Sequence, residues 1–194
     1  MPGPGTVKLP GAIFRQYDIR GTVGDQLTPA AARAVGQAYA TLAWERLRRA
    51  PRVAVGRDNR PSGPALAAGV REGIVAAGGT AVDVGELPTP ALYFATKTID
   101  VDGGVQITGS HNPPEFNGFK MVLVHEAVFG DDIQRLRAMI EEGRLRREVF
   151  TNGRYFDNII FGMTAEEFAA KHPYYLHGQA QAEPMDQPYA PVEG

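Results

Sequence analysis

Cysteine is absent from all 194 residues. That absence excludes disulfides and thiolate metal centres. A strong charge of one sign is also missing, since 20 Lys and Arg face 22 Asp and Glu for a formal net charge of −2. With no basic block interleaved with aromatics, nothing points to nucleic acid as a partner. No apolar run approaches the roughly 20 residues a helix needs to cross a bilayer. The chain is therefore not expected to span a membrane, and peripheral attachment stays open. Met1-Pro2-Gly3-Pro4-Gly5 lacks the charged-then-apolar order of a secretion signal, so a cytoplasmic location is the expectation. What is present is ordinary for a soluble globular chain, 43% hydrophobic and 22% charged. The length suits one domain plus an extension.

The pattern along the chain alternates strands and helices. Residues 1–11 are Pro/Gly-rich and read as a flexible arm. Thr28-Pro29 is a capping residue followed by proline at the first helical position. It opens a helix to about Arg49 with Val35, Ala38, Tyr39, Leu42 and Leu47 as its buried stripe. A strand over 52–55 and a helix over 62–77 follow, the latter ended by Gly78-Gly79. A second strand over 80–84 leads to Leu87-Pro88-Thr89-Pro90, which repeats the cap-plus-proline signal. The helix it opens reaches about Thr98, with Leu92, Phe94 and Ala95 inward. A central strand over 104–107 and a returning, antiparallel strand over 119–124 enclose a short loop. Asp131 then caps a last helix that ends near Gly143, in the basic patch Arg144-Leu145-Arg146-Arg147. This order predicts an α/β fold: a three-layer αβα sandwich on a mostly parallel sheet with one antiparallel strand, plus an irregular C-terminal extension. The expected divisions are 1–11, 12–149 and 150–194.

The loop between the last two strands is where chemistry concentrates. Thr108-Gly109-Ser110-His111-Asn112-Pro113-Pro114-Glu115-Phe116-Asn117-Gly118-Phe119-Lys120 holds a hydroxyl, an imidazole, two amides and a lysine. Pro113 and Pro114 stiffen it, and Gly109 and Gly118 bracket it. Acyl transfer is disfavoured. Asn112 stands where a G-x-S-x-G elbow needs glycine, and sequence neighbours such as Ser110 and His111 usually point apart on an extended loop. Phosphoryl carriage fits better, because a phosphoserine needs donors and cations such as Lys120 around it. The bland alternative is a surface loop with an incidental Ser-His pair. A second turn, Gly56-Arg57-Asp58-Asn59-Arg60, leaves the carboxyl end of a strand, where ligands gather in open α/β sheets. Arg57 and Arg60 could face a phosphate there, or the turn could simply be stabilising itself. His172 and His177 read as isolated loop histidines rather than a metal pair.

The Ser110 motif resembles the phosphoserine loop of the α-D-phosphohexomutases, the phosphomannomutase/phosphoglucomutase family. Ile13-Phe14-Arg15-Gln16-Tyr17-Asp18-Ile19-Arg20-Gly21 is similar to the family's opening segment, and Gly56-Arg57-Asp58-Asn59-Arg60-Pro61-Ser62-Gly63 to its first strand-to-helix turn. The resemblance runs from about residue 12 to about 147 and corresponds to the first of four domains. It implies that Ser110 carries the phosphoryl group and Lys120 moves the hydroxyl proton. His111 positions the substrate or supports the transfer. Tyr17, Arg20, Asn112 and Arg57 are the implied substrate-binding residues, and the implied substrates are hexose phosphates. A magnesium ion is implied at the serine phosphate, held also by three aspartates of a second domain. No Asp-Gly-Asp-Gly-Asp-Arg type loop occurs in this sequence. The chain alone is therefore expected to bind no magnesium tightly and to be inactive without the other domains. The alternative is a non-catalytic accessory subunit of a larger assembly. Residues 150–194, with Tyr155, Phe156, Phe161 and Tyr174, would be its docking tail.

Overall fold

A computed structural model describes the chain at residues 7–143, 145–151 and 154–158, with side chains as far as Leu145. A 3-10 turn at Gly11–Ile13 precedes β1 (Ile19–Thr22), α1 (Pro29–Leu47), β2 (Arg52–Arg57), α2 (Gly63–Ala76), β3 (Thr80–Glu86) and α3 (Thr89–Thr98). β4 (Gly103–Ile107), β5 (Phe116–Leu123), β6 (Glu126–Ala127), α4 (Asp131–Glu141), β7 (Leu145–Thr151) and β8 (Arg154–Asn158) complete the order. The sheet runs β1-β5-β4-β2-β3, with β6 on β5, and β7 and β8 form a separate hairpin. β2, β3 and β4 are parallel, whereas β5 is antiparallel to β4, β1 and β6. Thus β5 alone runs against its sheet, as the return through a short loop predicts.

The two faces of the sheet separate by the period-2 alternation of strands. Val53, Val55, Val105, Ile107, Phe119 and Leu123 face a core shared with α1, α2 and α4. The intervening residues meet α3 instead: a methyl added at Gly104 would lie 2.9 Å from Thr96 Cγ2 and 3.4 Å from Leu92 Cδ1. Tyr39 anchors α1 to the sheet by donating its hydroxyl to the Val122 carbonyl at 2.5 Å. Burial drives that phenol far above its ordinary pKa. α1 and α2 pack backbone to backbone. A Cβ at Gly73 would stand 2.0 Å from the Arg33 carbonyl oxygen, so only glycine permits the approach.

Several boundaries differ from expectation for identifiable reasons. α1 stops at Leu47 because Arg48 turns left-handed, with φ 58, and donates its N–H to the Trp44 carbonyl. β2 and β3 run on past the expected 55 and 84, and β5 begins at Phe116 because it pairs with β1 as well as β4. α3 includes Thr89, and the residue before the helix is Pro88. Phe94, expected inward, is 68% exposed, and Thr96 is buried in its place. Positions 92 and 96 are one turn apart and fix the buried face, which position 94 opposes. Gly130, not Asp131, is the residue before α4.

From Leu145 the expected basic patch continues as a strand. β7 crosses the 149/150 boundary and pairs with β8 (Phe150 opposite Tyr155), so the extension opens with a hairpin. The remaining tail, with its expected docking role and His172 and His177, lies outside the described residues.

Candidate active site

Parallel pairing brings the two chemistry-bearing turns together. Arg57 ends β2 opposite Ile107, which ends β4, and the Asp58 amide donates to the Ile107 carbonyl at 2.9 Å. The turn after β2 and the Ser110 loop after β4 therefore leave the same end of the sheet side by side.

The loop is held from beneath by Asp58 and Arg60. Asp58 Oδ2 accepts the Gly109 amide at 3.1 Å, and its Oδ1 accepts the Arg60 amide at 3.1 Å. The Arg60 guanidinium, 3.4 Å from Asp58 Oδ2 through Nε, donates to four carbonyls. Nη1 reaches Pro113 at 2.6 Å and Phe116 at 2.9 Å, and Nη2 reaches Asn112 at 2.5 Å and Ser110 at 3.2 Å. It lies flat against Gly109, where a Cβ would meet Arg60 Cζ at 2.2 Å. Thr108 Oγ1 accepts the Ser110 amide at 2.9 Å, and Asn112 donates both its amide and Nδ2 back to the Gly109 carbonyl.

Within this frame Ser110 is left-handed, with φ 54, a conformation uncommon for a residue with a side chain. The twist folds His111 back. Its Nδ1 stands 3.3 Å from Ser110 Oγ, and both side chains are exposed. The expectation that these neighbours point apart assumed an extended loop, and the left-handed serine removes that premise. Among the described residues no carboxylate is bonded to His111, so the orienting third member of a hydrolase triad is missing.

A second group flanks the base of the loop. Arg20 on β1 lies opposite Gly118, and Lys120 on β5 lies opposite Gln106, all on the α3 side of the sheet. Asp18, 7% exposed, accepts from Arg20 Nη2 at 2.5 Å and has Lys120 Nζ at 3.6 Å. Two cations on one carboxylate leave net positive charge, and Arg20 Nε is buried without a partner. No bond joins Lys120 to Ser110 among the described residues. Tyr17 projects beside this group, 66% exposed and stacked on Phe129 with ring centroids 6.4 Å apart. Arg57 turns elsewhere, donating to Glu86 at 2.6 Å.

These features match a known family. The family model described as phosphoglucomutase/phosphomannomutase, alpha/beta/alpha domain I, matches residues 11–147. The chain belongs to the phosphoglucomutase/phosphomannomutase family. A phosphomannomutase/phosphoglucomutase of Pseudomonas aeruginosa is 49% identical over 138 residues, covering 71% of this chain and 29% of the relative. A phosphoglucomutase of Neisseria meningitidis serogroup B is 47% identical over 130 residues, covering 67% and 28%. The crystal structure of a phosphoglucomutase/phosphomannomutase family protein from Burkholderia thailandensis superposes with a TM-score of 0.68 at 41% identity, covering 72% of this chain and 32% of that one. The chain spans under a third of the length of these phosphoglucomutase/phosphomannomutase relatives.

Two participants were not legible from residue type. Asp18 was read only as one residue of the opening segment, yet it joins Arg20 to Lys120, which are 100 residues apart in sequence. Asn117, fully buried, donates to Ser62 Oγ at 2.8 Å and so fastens the far end of the phosphoglucomutase/phosphomannomutase loop to the start of α2. Among the described residues no three His, Asp or Glu side chains gather into a set able to hold a metal ion.

Proposed function

We propose that Ser110 is the phosphoryl-carrying nucleophile of a hexose-phosphate mutase centre. The observation that carries this reading is an exposed, left-handed serine with an imidazole 3.3 Å from its Oγ, beside the net positive Asp18-Arg20-Lys120 group. The names of the relatives, phosphomannomutase and phosphoglucomutase, supply the substrate class.

In the transfer, Ser110 Oγ forms a bond to the phosphorus of a hexose bisphosphate, and the bond from that phosphorus to the sugar oxygen breaks. The Oγ proton passes to His111 Nδ1, and the sugar oxygen takes up a proton. Arg20 and Lys120 offset the charge of the transferring group. Asn112, whose Nδ2 is bonded to the Gly109 carbonyl, offers its side-chain oxygen to the sugar, and Tyr17 forms a wall for it. Arg57 would have to leave Glu86 to reach a phosphate, so its part is secondary. Magnesium would require carboxylates beyond those gathered here.

Incubation of the 194-residue chain with glucose 1,6-bisphosphate, followed by intact-mass measurement, tests the reading. One phosphoryl group per chain is expected on the wild type and none on Ser110→Ala. Equal uptake by both, or none by the wild type, would overturn it.

A further inference from the structure

We infer that Arg60 is a positioning residue for the nucleophile, acting through the loop backbone and never touching the transferred phosphate. The inference rests on the reading of Ser110 as a phosphoryl carrier. An arginine on a turn beside such a serine invites the opposite assignment, that of a direct phosphate ligand. The geometry argues against it. Nη1 and Nη2 are both committed, to Pro113 and Phe116 and to Ser110 and Asn112 respectively. Nε faces Asp58. The side chain is only 13% exposed, so little of it is left to meet a ligand arriving from solvent.

The four oxygens it collects have a shared significance. A loop that receives a phosphate dianion must turn its carbonyl oxygens, which carry partial negative charge, away from the place where the phosphate sits. One planar guanidinium fork draws four of them to the underside of the loop. This leaves the Ser110 and His111 side chains on the exposed side. The same bonds keep Ser110 left-handed, a conformation that persists only where the surroundings over-determine it. Lysine cannot reproduce the arrangement, since a compact ammonium lacks the planar fork. Gly109 completes the design, because any side chain there would collide with the guanidinium.

Two measurements on the 194-residue chain test this, using Arg60→Lys and Arg60→Gln, with Arg71→Ala as a control that matches the charge lost in Arg60→Gln. Arg71 is part-exposed on α2 and, among the described residues, pairs only with Asp83. In the first, amide hydrogen exchange at Gly109, Ser110 and Asn112 is expected to quicken about tenfold or more in both Arg60 variants. Amides of β2 and β4 should hold within about twofold, as local opening requires. In the second, the rate of Ser110 phosphorylation is followed against glucose 1,6-bisphosphate concentration. The maximal rate is expected to fall at least about tenfold with half-saturation unchanged within about threefold, the signature of lost transition-state geometry rather than lost binding. Arg71→Ala should match the wild type in both.

Unchanged loop exchange in both Arg60 variants overturns the inference, as does a raised half-saturation at an unchanged maximal rate, which would make Arg60 a ligand. The exchange arm needs no phosphoryl donor. Failure of the wild type to take up phosphate would therefore sink the carrier reading while leaving Arg60 judged on the loop.

Discussion

At the scale of single residues, the strain at Ser110 and the contacts that hold it are inseparable. A left-handed non-glycine residue costs on the order of 1–2 kcal/mol. Here the Thr108 hydroxyl, the Asn112 bonds to Gly109 and the Arg60 fork oppose that cost. Asp102 does comparable work away from the site. Its carboxylate accepts the Arg52 amide at 2.8 Å and Arg49 Nη1 at 2.9 Å, joining the residues after α1 to the entrance of β4. Burial pushes its pKa up most strongly of any single influence. The hydrogen bonds from Arg49 and Arg52, with the charge of both arginines, outweigh burial together and hold the carboxyl below its ordinary value. A group whose pKa is depressed on folding contributes stability above its unfolded pKa of about 3.9, and loses it as pH falls through the folded value. Asp102→Asn is therefore expected to cost about 1 kcal/mol at neutral pH, a modest figure because Arg49 is largely exposed. The gap from wild type should stay level down to about pH 5 and close below about pH 4. Urea unfolding at pH 7, 5 and 3.5 measures it, and a gap that widens in acid would refute the assignment.

At the scale of elements, contacts between α1 and α2 decide a substitution that propensity would misjudge. In a helix interior, glycine to alanine normally gains about 1 kcal/mol. At Gly73 the new methyl would stand 2.0 Å from the Arg33 carbonyl oxygen, and backbone cannot yield as a side-chain tip can. Gly73→Ala is expected to destabilise by about 1–3 kcal/mol, as overpacking does. Thermal and urea unfolding would register the sign, and a gain in stability would mean that the helices are not in contact there. Nothing in the local pattern around Gly73 announces this, because the reason lies on another helix. The same distinction explains what was legible elsewhere. Strands and helices were readable from periodicity and caps, and the reversal of β5 from the shortness of the loop before it. The Ser110 loop stood out because its residue types serve no folding purpose. Phe94 was misplaced because its apolarity was read without asking which helix face the sheet would cover. For Arg60 the phosphate-facing and turn-stabilising readings both stayed open, because its turn was legible and its four carbonyl partners, some 50 residues distant, were not.

At the scale of the whole molecule, the question is whether one layered domain can run a mutase cycle. The cycle needs a sugar bisphosphate to be retained while it reverses its orientation, in surroundings that keep water from the phosphoserine. The described residues hold the proposed nucleophile and a cationic flank, the serine open to solvent rather than enclosed and Lys120 part-exposed. Ser110 and His111 are exposed, and Tyr17 stands 66% exposed, stacked on Phe129. They also gather no carboxylate set for a divalent cation. Carrying one phosphoryl group and completing the cycle are thus separable properties, and the 194-residue chain is expected to possess the first without the second. Supplied with glucose 1-phosphate, magnesium and a trace of glucose 1,6-bisphosphate, it should release glucose 6-phosphate no faster than a protein-free blank, as a coupled spectrophotometric assay would record. Uptake of phosphate on Ser110 should still be visible by mass in the same sample. Steady turnover that disappears in Ser110→Ala would overturn the expectation. It would require an enclosure built either by the residues after Asn158 or by a second copy of the chain, and the dependence of the rate on protein concentration would tell those two apart. A rate linear in protein would place the enclosure within one chain, and a quadratic rate would place it between two.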